Sequence, residues 1–172
     1  MRNKNVTMIT QAAIIAALYV VLTILANALG LAKFAVQIRF SEALCVLPFF
    51  TPAAVPGLYV GCLIANITTG AGIWDILFGS LATLIGAVGT RLLRKHRFLM
   101  TLPPVVANMV IIPFILRYGY GIMWMYDGVD LVIPFYALTV GAGEVISVCI
   151  LGSVLLKVLL PYKHVIFKLG EE

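Results

Sequence analysis

The chain has 172 residues, of which 62% are apolar and 11% charged, and its mean hydropathy is +1.08. A water-soluble domain cannot hide that much apolar surface, so the composition excludes one and points to an all-α integral membrane protein. The formal charge of +5 does not imply nucleic acid. Lys and Arg sit in short clusters between apolar runs rather than in one basic stripe.

A membrane helix needs about 20 mostly apolar residues. The first run, residues 8–29, shows no convincing small-residue cleavage site, so it is expected as a retained helix rather than a signal peptide. Within it Ala12 and Ala16, with Ala13 and Ala17 beside them, form two overlapping small-xxx-small stripes. Such stripes allow close helix–helix approach, either inside the bundle or with a partner.

The stretch that follows is more broken. Pro48, Pro52 and Pro56 punctuate it, which predicts two shorter helices over 35–50 and 53–69 joined by a tight turn. Glu42 falls in the first turn of the earlier one, where the macrodipole favours an acid and Arg39 at i−3 can pair with it. A binding role for Glu42 stays open beside that structural one. Gly57 and Gly61 give the next helix a small face of its own.

The remaining runs predict helices over 73–93, 98–116 and 132–160. Asp75, after Trp74, opens the fourth and suits its N-terminus. Asn108 lies near the middle of the fifth, where an amide in lipid seeks a partner or a ligand. Glu144 lies in Gly141-Ala142-Gly143-Glu144. Counting back from Lys157 at about 1.5 Å per residue places it roughly 20 Å from the inner end, in the outer half of the hydrocarbon. An acid there costs a few kcal/mol and calls for a structural partner or a ligand.

Between the fifth and sixth helices runs an aromatic loop, Arg117-Tyr118-Gly-Tyr120-Gly-Ile-Met-Trp124-Met-Tyr126-Asp127. Its rings suit an interfacial belt. Its glycines also make it flexible enough to act as a lid that stacks on a flat heterocycle.

Arg2, Lys4, Arg91, Arg94, Lys95, Arg97, Lys157, Lys163 and Lys168 fall on one side, against Lys33, Arg39 and Arg117 on the other. The positive-inside rule then places both termini in the cytoplasm. Glu42, Asp75, Asp127, Asp130 and Glu144 lie in the outer half, so the polar chemistry faces outward. The expected architecture is one domain, residues 1–172, with six transmembrane helices. Cys45, Cys62 and Cys149 are scattered through apolar segments without CxxC spacing and read as packing residues.

No GxxxxGK[ST] phosphate loop is present, so the chain does not hydrolyse ATP by that route. No HExxH, nucleophile elbow or paired His cluster appears, and no metal or other cofactor is expected. A membrane enzyme built on Glu144, Glu42 and Asp75 finds no ligand spacing to support it.

Four strings carry a resemblance: Arg39-Phe-Ser-Glu-Ala-Leu-Cys-Val-Leu-Pro48, Thr51-Pro-Ala-Ala-Val-Pro-Gly57, Gly61-Cys-Leu-Ile-Ala-Asn66 and Asp75-Ile-Leu-Phe-Gly-Ser-Leu-Ala-Thr-Leu84. They closely resemble the QueT family, S components of energy-coupling factor (ECF) transporters assigned to queuosine precursors. The likeness covers most of the chain and is densest over 39–86.

That resemblance implies a compact six-helix bundle of the ECF S-component type in a prokaryotic plasma membrane. It implies a transmembrane coupling protein and two ATPase subunits as partners, no enzyme activity of its own, and docking through Ala12, Ala13, Ala16 and Ala17. The implied solute is a 7-deazaguanine such as preQ1, preQ0 or queuine. From the residues, Glu144 and Glu42 suit its amidine-like donor edge and Asn108 its carbonyl side. Arg39 and Asp75 belong to the same polar set, and Trp124 and Tyr120 to the cover. An S component for riboflavin, thiamine or a similar solute, and a carrier that needs no partner, are the alternatives.

Overall fold

The computed structural model describes residues 4–31 and 37–167. Six helices follow in order: α1 (Lys4–Ala28), α2 (Phe40–Phe49), α3 (Ala54–Thr68), α4 (Asp75–Leu92), α5 (Leu99–Gly119) and α6 (Val132–Ile166). Of these α1, α4, α5 and α6 are long and apolar enough to cross a membrane. Polarity is inverted relative to a soluble domain: Ile9, Val21 and Leu138 are exposed, while Ser41, Glu42, Thr51, Asn108 and Glu144 are buried. The interior is largely an apolar core, and an apolar exterior with the polar side chains turned inward is the arrangement hydrocarbon selects.

The second helix departs most from expectation. Its expected start at residue 35 lies outside the described residues, and 37–39 are extended rather than helical. From Phe40 the chain forms ten residues of 3-10 helix with Pro48 inside. At about 2.0 Å per residue it reaches only some 20 Å, short of the roughly 30 Å hydrocarbon. Residues 41–48 are buried on every side. The helix is therefore a central rod, packed by α1, α4 and α6, with no lipid face.

A rod sealed this way must satisfy its last carbonyls internally. Arg91, near the end of α4, does so, donating to the carbonyls of Pro48 at 3.0 Å and Phe49 at 3.4 Å. Close approach elsewhere is bought with small residues. A Cβ on Gly152 of α6 would stand 2.7 Å from Val46 Cγ1, so only glycine lets α6 lie against the rod.

Around the rod, α1 packs on α3, α3 on α4, α4 on α5 and α5 on α6. The α1–α3 contact resolves the two alanine stripes. A Cβ on Gly57 would meet the Ala12 carbonyl at 2.7 Å, and one on Gly61 would meet Ala16 Cα at 2.9 Å. Ala12 and Ala16 therefore face α3, while Ala13 and Ala17 remain exposed.

Three π-helical turns interrupt the long helices, at Asp75–Gly79, Ile115–Gly119 and Val145–Leu151. Such turns re-aim side chains and recur at functional sites. The third begins directly after Glu144. Beyond α5 the loop is less loose than its glycines suggest. Arg117 and Tyr118 still belong to α5, and β1 (Met125–Tyr126) pairs antiparallel with β2 (Val129–Asp130). The turn residues Asp127 and Gly128 both have positive φ, 49° and 77°, as a two-residue type I′ hairpin requires.

Candidate functional site

The bundle interior holds a polar network that begins on α1. Tyr19, a phenol in mid-helix, must find a hydrogen-bond partner once buried. Its hydroxyl donates to Glu42 Oε1, and the Cys45 thiol, one 3-10 turn along α2, donates to Oε2 at 3.1 Å. The Thr23 hydroxyl donates to Ser41 Oγ at 2.9 Å. Glu42 is thus held by α1 and its own helix, and not by the i−3 pairing with Arg39 that the sequence suggests. Cys45 is more than packing, since its thiol completes the carboxyl's shell; Cys62 likewise accepts from Thr83 at 3.3 Å.

Beside this network lies a second, less complete one. The extended segment 37–39 crosses α6 at Gly143, where any Cβ would collide with the Gln37 carbonyl. That contact brings the Arg39 N–H to Ser147 Oγ at 3.2 Å. It also encloses a cavity of about 20 Å³ lined by Gln37, Arg39, Asn108, Ile112, Val140 and Glu144. Room for about one water molecule is all this offers.

Glu144 is 7% exposed, and one of its carboxyl oxygens, Oε2, has no hydrogen-bond partner. The Asn108 amide lies against the same carboxyl and also donates to the Pro104 carbonyl at 3.2 Å. Arg39 acts electrostatically on both Glu42 and Glu144. A buried polar oxygen left without a partner costs on the order of 1–3 kcal/mol or more, so Oε2 is the open hydrogen-bonding position of the cluster.

The structure therefore brings Arg39, Asn108 and Glu144 together around one cavity, with Glu42 behind them. It does not bring Asp75, Tyr120 or Trp124 there. The Tyr120 hydroxyl donates to the Asp75 carboxylate, clasping the loop after α5 to the N-terminal end of α4. Asp75 thus serves as an acceptor for a distant loop rather than as a helix cap. Trp124 packs edge-on against Phe135 with ring centroids 4.9 Å apart. Its hairpin is tied down by Asp130, which accepts from the Val132 N–H at 3.1 Å and pairs with Arg117. Those contacts hold the Asp130 carboxyl below the usual carboxylate range, the Val132 N–H foremost.

Tyr19, Gln37 and Ser147 join the site without having been singled out in the sequence. Tyr19 carried a usable signal, a phenol inside an apolar run; Gln37 and Ser147 carried none. Two larger cavities are almost wholly apolar. One of about 420 Å³ lies between α4 and α5, walled by Trp74, Phe78, Val110, Phe114 and Tyr118, with little to orient a polar solute. Another, of about 350 Å³, runs between α1 and α3 over Ala12, Ala13, Ala16 and Gly57. Among the described residues no group of three or more His, Cys, Asp or Glu is placed to hold a metal ion.

Comparison with known proteins gives two matches. The family model described as QueT transporter matches residues 9–161. A curated relative, "Queuosine precursor transporter QueT" of Lactococcus lactis subsp. cremoris, is 32% identical over 85 residues. That alignment covers 49% of this chain and 50% of the relative, so it spans about half of each. No solved structure matches the chain.

Proposed function

The chain belongs to the QueT transporter family, and from that premise we propose that it is the substrate-binding S component of an ECF-type importer for a 7-deazaguanine queuosine precursor. It captures the solute from outside and delivers it inward when an ATPase-driven coupling module docks. The six-helix bundle sits in the membrane with both termini cytoplasmic, and ATP is hydrolysed in the two partner ATPase subunits.

One observation carries the reading: the buried Glu144 carboxyl has an unpartnered oxygen on the wall of a polar cavity. A deazaguanine presents a ring N–H and an exocyclic amine side by side, an edge that a carboxylate accepts in bidentate fashion. Asn108 serves the carbonyl side of the base. Arg39 and Glu42 set the charge around it.

A bicyclic base does not fit in about 20 Å³, since small-molecule pockets run from about 300 Å³ upward. The described conformation is closed, and binding requires the segment 37–39 to withdraw from Gly143 and Ser147. The hairpin carrying Trp124, with Tyr120 before it, provides the cover by swinging inward from the Asp75 clasp.

For docking, the exposed pair Ala13 and Ala17 forms the surface stripe, because Ala12 and Ala16 are engaged by Gly57 and Gly61. The groove beside them is lined by small residues, Ala12, Ala13, Ala16 and Gly57 among them, which permit close approach of a partner helix.

Binding to purified protein, with no ATPase present, tests the first half. Deazaguanine bases should bind, and Glu144→Gln should weaken them roughly 5- to 150-fold, the 1–3 kcal/mol of a charged hydrogen-bond pair. Failure of every base in the class to bind would refute the substrate. Ala13→Trp should stop uptake in cells while binding persists; loss of both together would make the stripe internal packing.

A further inference from the structure

We infer that a slot between α1 and α6 seats one acyl chain of an anionic phospholipid, with the head group held at the end where α1 begins and α6 stops.

The slot exists because the ring of helices is not closed. Each outer helix packs on the next from α1 through α3, α4 and α5 to α6, but among the described residues α6 makes no comparable contact back to α1. Between the two lies a partly enclosed cavity of about 310 Å³. Its floor is the α2 rod at Leu44 and Leu47, and its walls are Ile14 and Leu18 of α1 with Leu155 and Leu159 of α6. Along α1 it runs from Thr7 to Leu18, about 17 Å at 1.5 Å per residue. Spread over that length, the volume makes a slot narrower than the roughly 10 Å of a helix with its side chains. One extended chain fits where a partner helix does not, and the aliphatic walls give water few hydrogen-bond partners.

Polarity changes along the slot. The Leu18 end is apolar, whereas the opposite end carries Thr7, Thr10 and Gln11. There the last turn of α6 reaches α1 as a strap. Gln11 Nε2 donates to the Ile166 carbonyl at 3.2 Å, and its Oε1 accepts from the Thr51 hydroxyl at 2.8 Å. Phe167 stacks on Phe50 beside it, with ring centroids 4.9 Å apart. A molecule that is apolar along its length and polar at one end matches this gradient.

Charge at the polar end selects the head group. Lys4 stands one turn before Thr7 on α1, and the exposed Lys163 one turn before Phe167. Over residues 1–7 and 160–172 the sequence sets Arg2, Lys4, Lys163 and Lys168 against Glu171 and Glu172, a net charge of +2. Basic rims of pockets between membrane helices favour anionic head groups, and each lysine near the surface contributes roughly fivefold in affinity.

The test uses phosphatidylglycerol and phosphatidylcholine probes, each with a diazirine at mid-chain, added in trace to phosphatidylcholine nanodiscs that hold the full-length protein. After photolysis the labelled peptides are mapped by mass spectrometry. Label concentrated on residues 14–18 and 155–159, and about fivefold or more stronger with the phosphatidylglycerol probe, supports the inference. Label absent from the slot, spread evenly over the lipid-facing helices, or equal for the two probes overturns it. This comparison on the wild-type protein needs no variant to fold. Leu155→Trp fills the slot and should remove the label, and Lys163→Gln should narrow the gap between the probes; label unchanged by both overturns the inference as well. Excess glycerophosphoglycerol, the same head group without chains, should not compete, and competition would overturn the lipid seat in favour of a phosphate site. None of these outcomes depends on the transported solute.

Discussion

Replacing Tyr19 by Phe removes a single oxygen from the centre of the bundle. Tyr19 and Glu42 are each 1% exposed, so water cannot take the lost hydroxyl's place. Glu42 Oε1 would lose its donor, while Cys45 would keep Oε2 at 3.1 Å. Hydrogen bonds to charged groups are worth about 1.5–3 kcal/mol. Inside membrane proteins measured couplings average nearer 0.6 kcal/mol, with a maximum near 1.7, because the unfolded state finds partners too. A carboxyl acceptor enclosed by protein belongs at the upper end, so Tyr19→Phe should cost about 1.5 kcal/mol.

Reversible unfolding in mixed micelles, followed by circular dichroism, measures this loss. The double variant Tyr19→Phe/Glu42→Met then isolates its cause. Once the acceptor is gone the absent hydroxyl should matter little, so the two changes should be strongly non-additive. A Tyr19→Phe protein within about 0.3 kcal/mol of wild type, or a cycle that is additive within error, would refute the claim that this bond holds Glu42.

Gly61→Ala places a Cβ 2.8 Å from Tyr19 Cβ and 2.9 Å from Ala16 Cα; it should cost about 1–3 kcal/mol in the same unfolding measurement, against less than about 0.5 for Ala17→Leu on the exposed face. Arg91→Ala strips the donor from two carbonyls at the end of α2 and should cost about 1–3 kcal/mol, partly recovered by Arg91→Lys. At the hairpin, the Asp130 carboxyl is held below its usual range by the Val132 N–H and by Arg117. Its stabilisation is therefore present above the unfolded-state value near 3.9 and is lost as pH falls through the lower folded value. Hydrogen exchange at the Trp124 and Val132 amides should accelerate as pH falls below about 4, relative to the intrinsic rate, and Asp130→Asn should abolish that dependence.

The buried acids were legible in the sequence because a carboxyl inside an apolar run is conspicuous wherever it ends up. Their partners were not. Glu42 has an arginine three residues away, the local pairing any helix pattern suggests, yet its donors are Cys45 and a tyrosine 23 residues earlier. Asp75 reads as a helix-start residue, and its partner Tyr120 arrives from 45 residues downstream. Local spacing holds no information about which loop will fold over which helix end. The aromatic loop misled in the other direction: its glycines suggest mobility, whereas Asp127 and Gly128 use that freedom to close a tight turn.

Four membrane-length helices follow from the sequence alone, because run length and hydropathy are properties of one dimension and hydrocarbon thickness sets the threshold. The same holds for the inward burial of Asn108 and Glu144, since lipid offers those groups no partner. Tertiary structure alone decided that α2 is a short 3-10 rod at the centre, because eight of its ten residues, 41–48, are buried by neighbours on every side rather than by a face of their own. It also decided between two alanine stripes of equal spacing. Only the position of Gly57 and Gly61 on α3 assigns Ala12 and Ala16 to the interior and leaves Ala13 and Ala17 at the surface.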